Sequence, residues 1–250
     1  MFKFLLPSLL LLLAACTAPV PVPNDASATA GTSTVKKDPD ADAKKLLQTA
    51  TEHILAKEPA KALPLLDQTL AYYERTYRQT GSRAYSARFL VESLAYVADA
   101  SQAKVDAKAC SEEWGAAYYY KAYALIDLQR VVEAKIALDA AIGLAPRNAR
   151  YLSERGHVDA MERNWPASLK TFQKAVEAAE FSPPAQKLQE TTRALRGVAF
   201  AQVELKNLTA AEALHRRVLQ LDPNDVVSKK ELQYIQRLRG RPAAKAASRS

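Results

Sequence analysis

Two apolar runs in this chain stop on nearly the same phrase, Leu144-Ala145-Pro146-Arg147-Asn148 and Leu221-Asp222-Pro223-Asn224-Asp225. A proline removes a backbone donor and pushes the residue before it out of the helical region, so each phrase marks the end of a helix. Counting back from each proline, small and large side chains recur at matched places. One unit has Tyr118, Ala122 and Leu125 followed by Ala134, Leu138 and Ala141; the last has Leu195, Ala199 and Gln202 followed by Ala211, His215 and Val218. Between them lie Leu152, Gly156 and Asp159, then Ser168, Phe172 and Ala175. The step from Ala134 to Ser168 is 34 residues, and that from Ser168 to Ala211 is 43, with the extra nine falling around Phe181-Ser182-Pro183-Pro184. A period of this length confines the chain to a repeat architecture, in which each helix pair buries its apolar side against its neighbours. Composition agrees: alanine and leucine dominate, and only 7 of the 250 residues are glycine, too few for the turns of a sandwich, barrel or doubly wound sheet. The expected class is all-α.

The matched positions resemble the tetratricopeptide repeat. Its pattern places a large residue at repeat position 4, small ones at 8 and 20, a bulky one at 24, a small one at 27 and a proline at 32. Small residues let the two helices of a unit cross closely while the bulky one fills the space beside them. The resemblance implies an α-solenoid of antiparallel helix pairs over residues 42–239, clearest in the units 115–148, 149–191 and 192–225. His215 stands where the pattern has an aromatic. Position 32 of the middle unit is Glu180, with the prolines delayed to Pro183 and Pro184, so its second helix is expected to run longer. A weaker unit begins near Ala43, with Pro59 opening its second helix. Residues 82–110 carry a helix-like pattern (Tyr85, Phe89, Leu94, Val97) without the internal turn of a repeat, leaving a degenerate repeat or one long helix open. Residues 225–239 fit a C-terminal capping helix.

The two ends differ in kind from the repeats. Residues 1–15 read MFKFLLPSLLLLLAA, one lysine and a short apolar run, an export signal rather than a spanning helix. Leu13-Ala14-Ala15-Cys16 resembles the bacterial lipobox, which implies cleavage before Cys16, acylation of that cysteine and a membrane anchor; Thr17 after it implies sorting to the periplasmic face of the outer membrane. Residues 16–41, rich in Pro, Ala, Ser and Thr without periodicity, read as a disordered tether. With Cys16 lipidated, Cys110 has no partner in the chain and no disulfide framework exists. The formal net charge is +8, but Lys229, Lys230, Arg237, Arg239, Arg241, Lys245 and Arg249 against the single Glu231 supply most of it. Basic charge gathered in a terminal helix and the tail 240–250, without interleaved aromatics, does not point to nucleic acid. It leaves binding of cell-wall components or other envelope polyanions as the alternative function.

Chemistry is scarce. There is no glycine-rich phosphate loop, no nucleophile elbow and only 3 histidines, so no enzyme activity and no cofactor are expected. Glu154-x-x-His157 and Glu212-x-x-His215 have the spacing of half a di-iron ligand set, with Glu177 or Glu190 as further candidates. The repeat register sends His157 and His215 to different faces, so no metal site is expected. The resemblance to the tetratricopeptide repeat implies a concave groove lined by Tyr119, Tyr123 and Ile126, then Arg150, Ser153 and His157, then Arg193, Arg196, Phe200 and Val203. Phe200 and Val203 are open to a second role, packing between units. The carboxylate clamp of chaperone-binding members uses Lys and Asn, and Tyr119 and Tyr123 stand where two of those would be. Aromatics followed by three arginines suit an extended or acidic peptide of a protein partner, with the arginines either contacting it or pairing within the chain. In layout the chain resembles tetratricopeptide lipoproteins that assist pilus or secretin assembly.

Overall fold

The computed structural model describes residues 38–78 and 82–240. The signal segment, Cys16, most of the expected tether and the tail 241–250 lie outside them. The described chain is built from ten helices and two short strands. Four antiparallel pairs follow one another: α1 (Ala41–Leu55) with α2 (Pro59–Tyr77), α4 (Glu112–Asp127) with α5 (Val131–Leu144), α6 (Ala149–Met161) with α7 (Trp165–Ala178), and α8 (Pro184–Glu204) with α9 (Leu208–Leu221). The cap α10 (Val226–Gly240) packs on α9. The folded unit begins at Asp38, ahead of the expected start at 42, because Tyr72 and Tyr77 donate hydroxyl hydrogen bonds to the Asp40 carboxylate at 2.9 and 3.0 Å.

Each pair turns in the same way. The second residue after the first helix takes a left-handed conformation at Lys57, Gln129, Arg163 and Lys206, and the next backbone N–H reaches back five residues, as in Arg130 to Leu125 and Asn207 to Gln202. This helix ending usually recruits glycine; here long polar side chains hold it, which is why so few glycines suffice. The joints before α6 and α10 are capped by side chains instead. Asn148 accepts from the N–H groups of Arg150 and Tyr151, and the Asp225 carboxylate accepts from Ser228 N–H at 2.6 Å. The repeated phrase therefore stops one helix with its proline and starts the next with its last residue.

Two features depart from the repeat. Residues 82–110 are neither a degenerate repeat nor one long helix. They form a βαβ excursion: β1 (Ser82–Ser86) and β2 (Asp106–Cys110) pair in parallel, Ser82 opposite Asp106, across the helix α3 (Leu90–Gln102). α4 still packs on α2, so the excursion leaves the stack unbroken. The second departure corrects the reading of the middle unit. α7 has 14 residues, as α5 and α9 do, and the added residues form a 3-10 turn over Ala179–Phe181 and the first turns of a 21-residue α8. Pro184 at the first helical position starts α8 rather than lengthening α7, because the missing donor costs nothing there.

The two departures meet. The Arg88 guanidinium donates to Glu92 of α3 and, at 2.7 Å, to Glu190 in the extension of α8. The core runs along the stack from Leu47, Leu66 and Trp114 through Leu125 and Leu138 to Phe172, Leu195 and Ile235, all buried. No described helix is long and apolar enough to cross a membrane.

Candidate functional site

The first helices of successive pairs bring the expected groove residues toward one another. On α4, Tyr119 is buried, its ring stacked on Tyr151 of α6 at 5.2 Å and edge-on to Tyr120 at 5.3 Å. Arg150 of α6 lies over this aromatic pair, its guanidinium carbon 4.4 Å from the Tyr119 ring centre and 5.5 Å from that of Tyr120. It donates to the Tyr120 hydroxyl at 3.4 Å. Among the described residues no carboxylate lies within ion-pair distance of it.

The other two arginines are engaged within the chain. Arg193 of α8 donates to the buried Glu154 carboxylate of α6, and Arg196 donates to Asp225 at the start of α10. Removing either guanidinium would strand a carboxylate with little access to water, a loss of about 3–5 kcal/mol. Of the two readings the sequence left open for them, intramolecular pairing is the one seen. Tyr123 is half-buried, and burial, with the Glu154 charge nearby, holds its phenol above the ordinary value. Tyr119, Tyr123, Arg150, Glu154 and Arg193 thus form one cluster spanning three repeats.

The remaining expected residues stand apart from it. Ser153 is buried, with no hydrogen-bond partner for its hydroxyl. His157 is exposed at the far end of α6. Val203 packs in the core under α10, and Phe200 sits edge-on to Trp165 at 5.8 Å. Three of the carboxylates at ligand-like spacing pair with arginines: Glu154 with Arg193, Glu190 with Arg88, and Glu212 with Arg216 and Arg239. No group of three or more metal-binding side chains occurs among the described residues. Burial pushes the Cys110 thiol up to about 12, which keeps it protonated and unreactive.

Sequence reasoning missed the partners more than the arginines. Glu154 is one position from a groove-lining place, and in the sequence only its spacing to His157 stands out. Tyr120 and Tyr151 were hidden in an unbroken run of aromatics and in a buried register position. Asp225 carried a signal, its match to Asn148 as the last residue of the repeated phrase.

What this surface can do follows from its charges. Glu154 and Asp225 neutralise Arg193 and Arg196, so Arg150 is the guanidinium left with phenols and ring faces alone. A planar fork fixed in place by stacking loses little freedom on binding and matches a carboxylate bidentately.

No protein-family model and no curated protein matches the sequence. Solved structures do. PilF of Pseudomonas aeruginosa is 12% identical, with a TM-score of 0.56 over 80% of this chain and 70% of that one. MamA from Desulfovibrio magneticus RS-1 is 17% identical, with a TM-score of 0.51 over 79% and 85%. The yeast histone chaperone Hif1 is 13% identical, with a TM-score of 0.51 over 79% and 93%. At these identities the likeness is one of fold. Together with the 34-residue period and the repeated joints, it makes this chain an all-α solenoid of the tetratricopeptide type, interrupted once by a βαβ excursion.

Proposed function

We propose that the protein is a non-catalytic interaction scaffold whose concave surface captures an extended, acidic segment of a partner protein. Acyl chains on Cys16 hold it at the periplasmic face of the outer membrane, where it assists assembly of an envelope complex. The observation that carries the capture is Arg150, a guanidinium stacked on Tyr119 and Tyr120 and without a carboxylate of its own. A charge-assisted pair from a fixed guanidinium contributes about 1.5–3 kcal/mol, enough to select an acidic ligand over a neutral one. The solenoid supplies the extended surface such a ligand needs. Within the same fold, Hif1 is described as a scaffold recruiting protein complexes to core histones.

The test is a cross-linking pull-down from cell envelopes, wild type beside Arg150→Gln. The variant loses its cation–π stacking, about 0.5–1 kcal/mol, and keeps its fold. A partner retained roughly 10- to 100-fold less well by the variant is the expected result. A partner held equally by both would contradict the reading. No groove-dependent partner at all would move the function to the basic tail and envelope polyanions. The anchor is tested separately: Cys16→Ser is expected to shift the protein from the membrane to the soluble periplasmic fraction, and retention on the membrane would place the anchor elsewhere.

A further inference from the structure

α3 carries only two charged side chains, and both are turned to the body of the protein. Glu92 is fully buried against Arg88, and Asp99 accepts from Arg147 at 2.6 and 2.9 Å. The outward side keeps Leu90, Val91, Leu94 and Val97, between 51% and 70% exposed, with Ala98, Ser101 and Gln102 around them. A helix whose charges are all turned inward and whose outer side is apolar belongs under cover. The exposed Val132 and Ile136 of α5 differ, since Glu133 and Lys135 interrupt them. Beneath α3, β2 has β1 as its only sheet partner among the described residues, and its Asp106, Ala107 and Ala109 are exposed. One edge of β2 therefore presents unpaired backbone groups.

We propose that this excursion is where two copies of the chain meet. In the pairing, β2 lies antiparallel to β2 of the second copy about a two-fold axis, giving a four-stranded sheet with the two α3 helices on one face. Charge selects a second copy over an unrelated partner. A face without charge meets its own image without repulsion, which matters for a chain of net charge +8. The strand adds complementarity: Asp106 and Lys108 flank Ala107 on one side of β2. In the antiparallel register centred on Ala107, each Asp106 falls opposite the Lys108 of the other copy, forming two cross-strand pairs of opposite charge. A lone edge lysine would discourage pairing; alternating with an acid, it sets the register. The apolar patch is of the few-hundred-Å² class, below the roughly 800 Å² per partner of a tight interface, so the dimer is weak and concentration-dependent.

The experiment is sedimentation of the purified full-length chain in mild detergent, from about 1 to about 200 µM. The wild type is expected to move from monomer to dimer across this range, and Leu94→Asp, an exposed position that the fold does not need, to remain monomeric. Lys108→Asp sets Asp106 against an acid and is expected to weaken the dimer roughly tenfold or more. Asp106→Lys combined with Lys108→Asp restores the opposite-charge pairs and the dimer, a rescue that micelle-driven association would not show. Ala107→Cys in a Cys110→Ser background is expected to form a disulfide-linked dimer on mild oxidation, because the two positions face each other across the axis. A wild type monomeric at every concentration would overturn the proposal. So would a dimer indifferent to Leu94→Asp and Lys108→Asp, or an α3 face that cross-links to a different protein while the chain stays monomeric.

Discussion

At the scale of single residues, His215 shows how a departure from the repeat pattern acquires a consequence. It occupies the place of a bulky aromatic between α9 and α10, buried, with Nδ1 3.0 Å from the Ser228 hydroxyl and Nε2 without a partner. Burial, assisted by the Arg196 charge and opposed by Asp225, lowers its pKa from 6.5 to about 4. The unfolded chain therefore binds a proton that the folded chain refuses between those two values. Its contribution to stability is complete above pH 6.5 and is lost as pH falls toward 4, about 2 kcal/mol of it by pH 5. His215→Phe fits the site and does not titrate. Chemical unfolding at pH 7.5 and pH 5 is expected to show the wild type weakening by about 2 kcal/mol more than the variant. Equal weakening of the two would mean that His215 is not held neutral by the fold.

At the scale of elements, the spacing of small and large residues was the most legible part of the chain, because it encodes how closely two helices cross. Phe172 fills the space between the backbones of α6 and α8. A Cβ added at Gly156 would lie 3.0 Å from its ring, and one added at Gly197 only 2.2 Å. Gly156 was visible in the sequence as the small residue of its unit; Gly197 was not, since its role comes from the neighbouring repeat. Gly143, near the end of α5, has nothing within 4 Å of the same position. One substitution should therefore act in opposite directions. Gly197→Ala is expected to cost about 1–3 kcal/mol through overpacking, whereas Gly143→Ala should gain about 0.5–1 kcal/mol of helix stability. Denaturant unfolding of the two variants checks this, and destabilisation of similar size in both would deny Phe172 its wedge role.

The βαβ excursion was not legible, and the reason is physical. Ser82–Ser86 and Asp106–Cys110 are short and poor in β-branched residues, so neither has a strand signature of its own. They pair because tertiary contacts hold them: Tyr85 stacks on Tyr96 at 5.1 Å, Ser86 donates to the Ser111 carbonyl at 2.9 Å, and Arg147 grips Asp99. The added residues near Pro183 were visible as a break in the period. Pro184 starts α8 there, and the extension is held by Glu190 pairing with Arg88, 102 residues away, a contact that a repeat alignment does not carry.

At the scale of the whole molecule, the stack of helix pairs gives an extended surface, and Arg193 to Glu154 and Arg196 to Asp225 tie α6, α8 and the start of α10 together. The repeat register alone pointed to all three arginines. It did not separate Arg193 and Arg196, which brace the stack, from Arg150, which pairs with no carboxylate among the described residues, because that distinction rests on carboxylates brought in by neighbouring repeats. The proposed function requires the concave side to be the capturing side. Its most direct measurement is photo-crosslinking in cells with a benzophenone amino acid placed at Tyr123, half-buried beside Arg193 and Glu154, or at Ile136, exposed on α5. A cross-linked partner is expected from position 123 and none from position 136. A partner captured only from position 136 would contradict it.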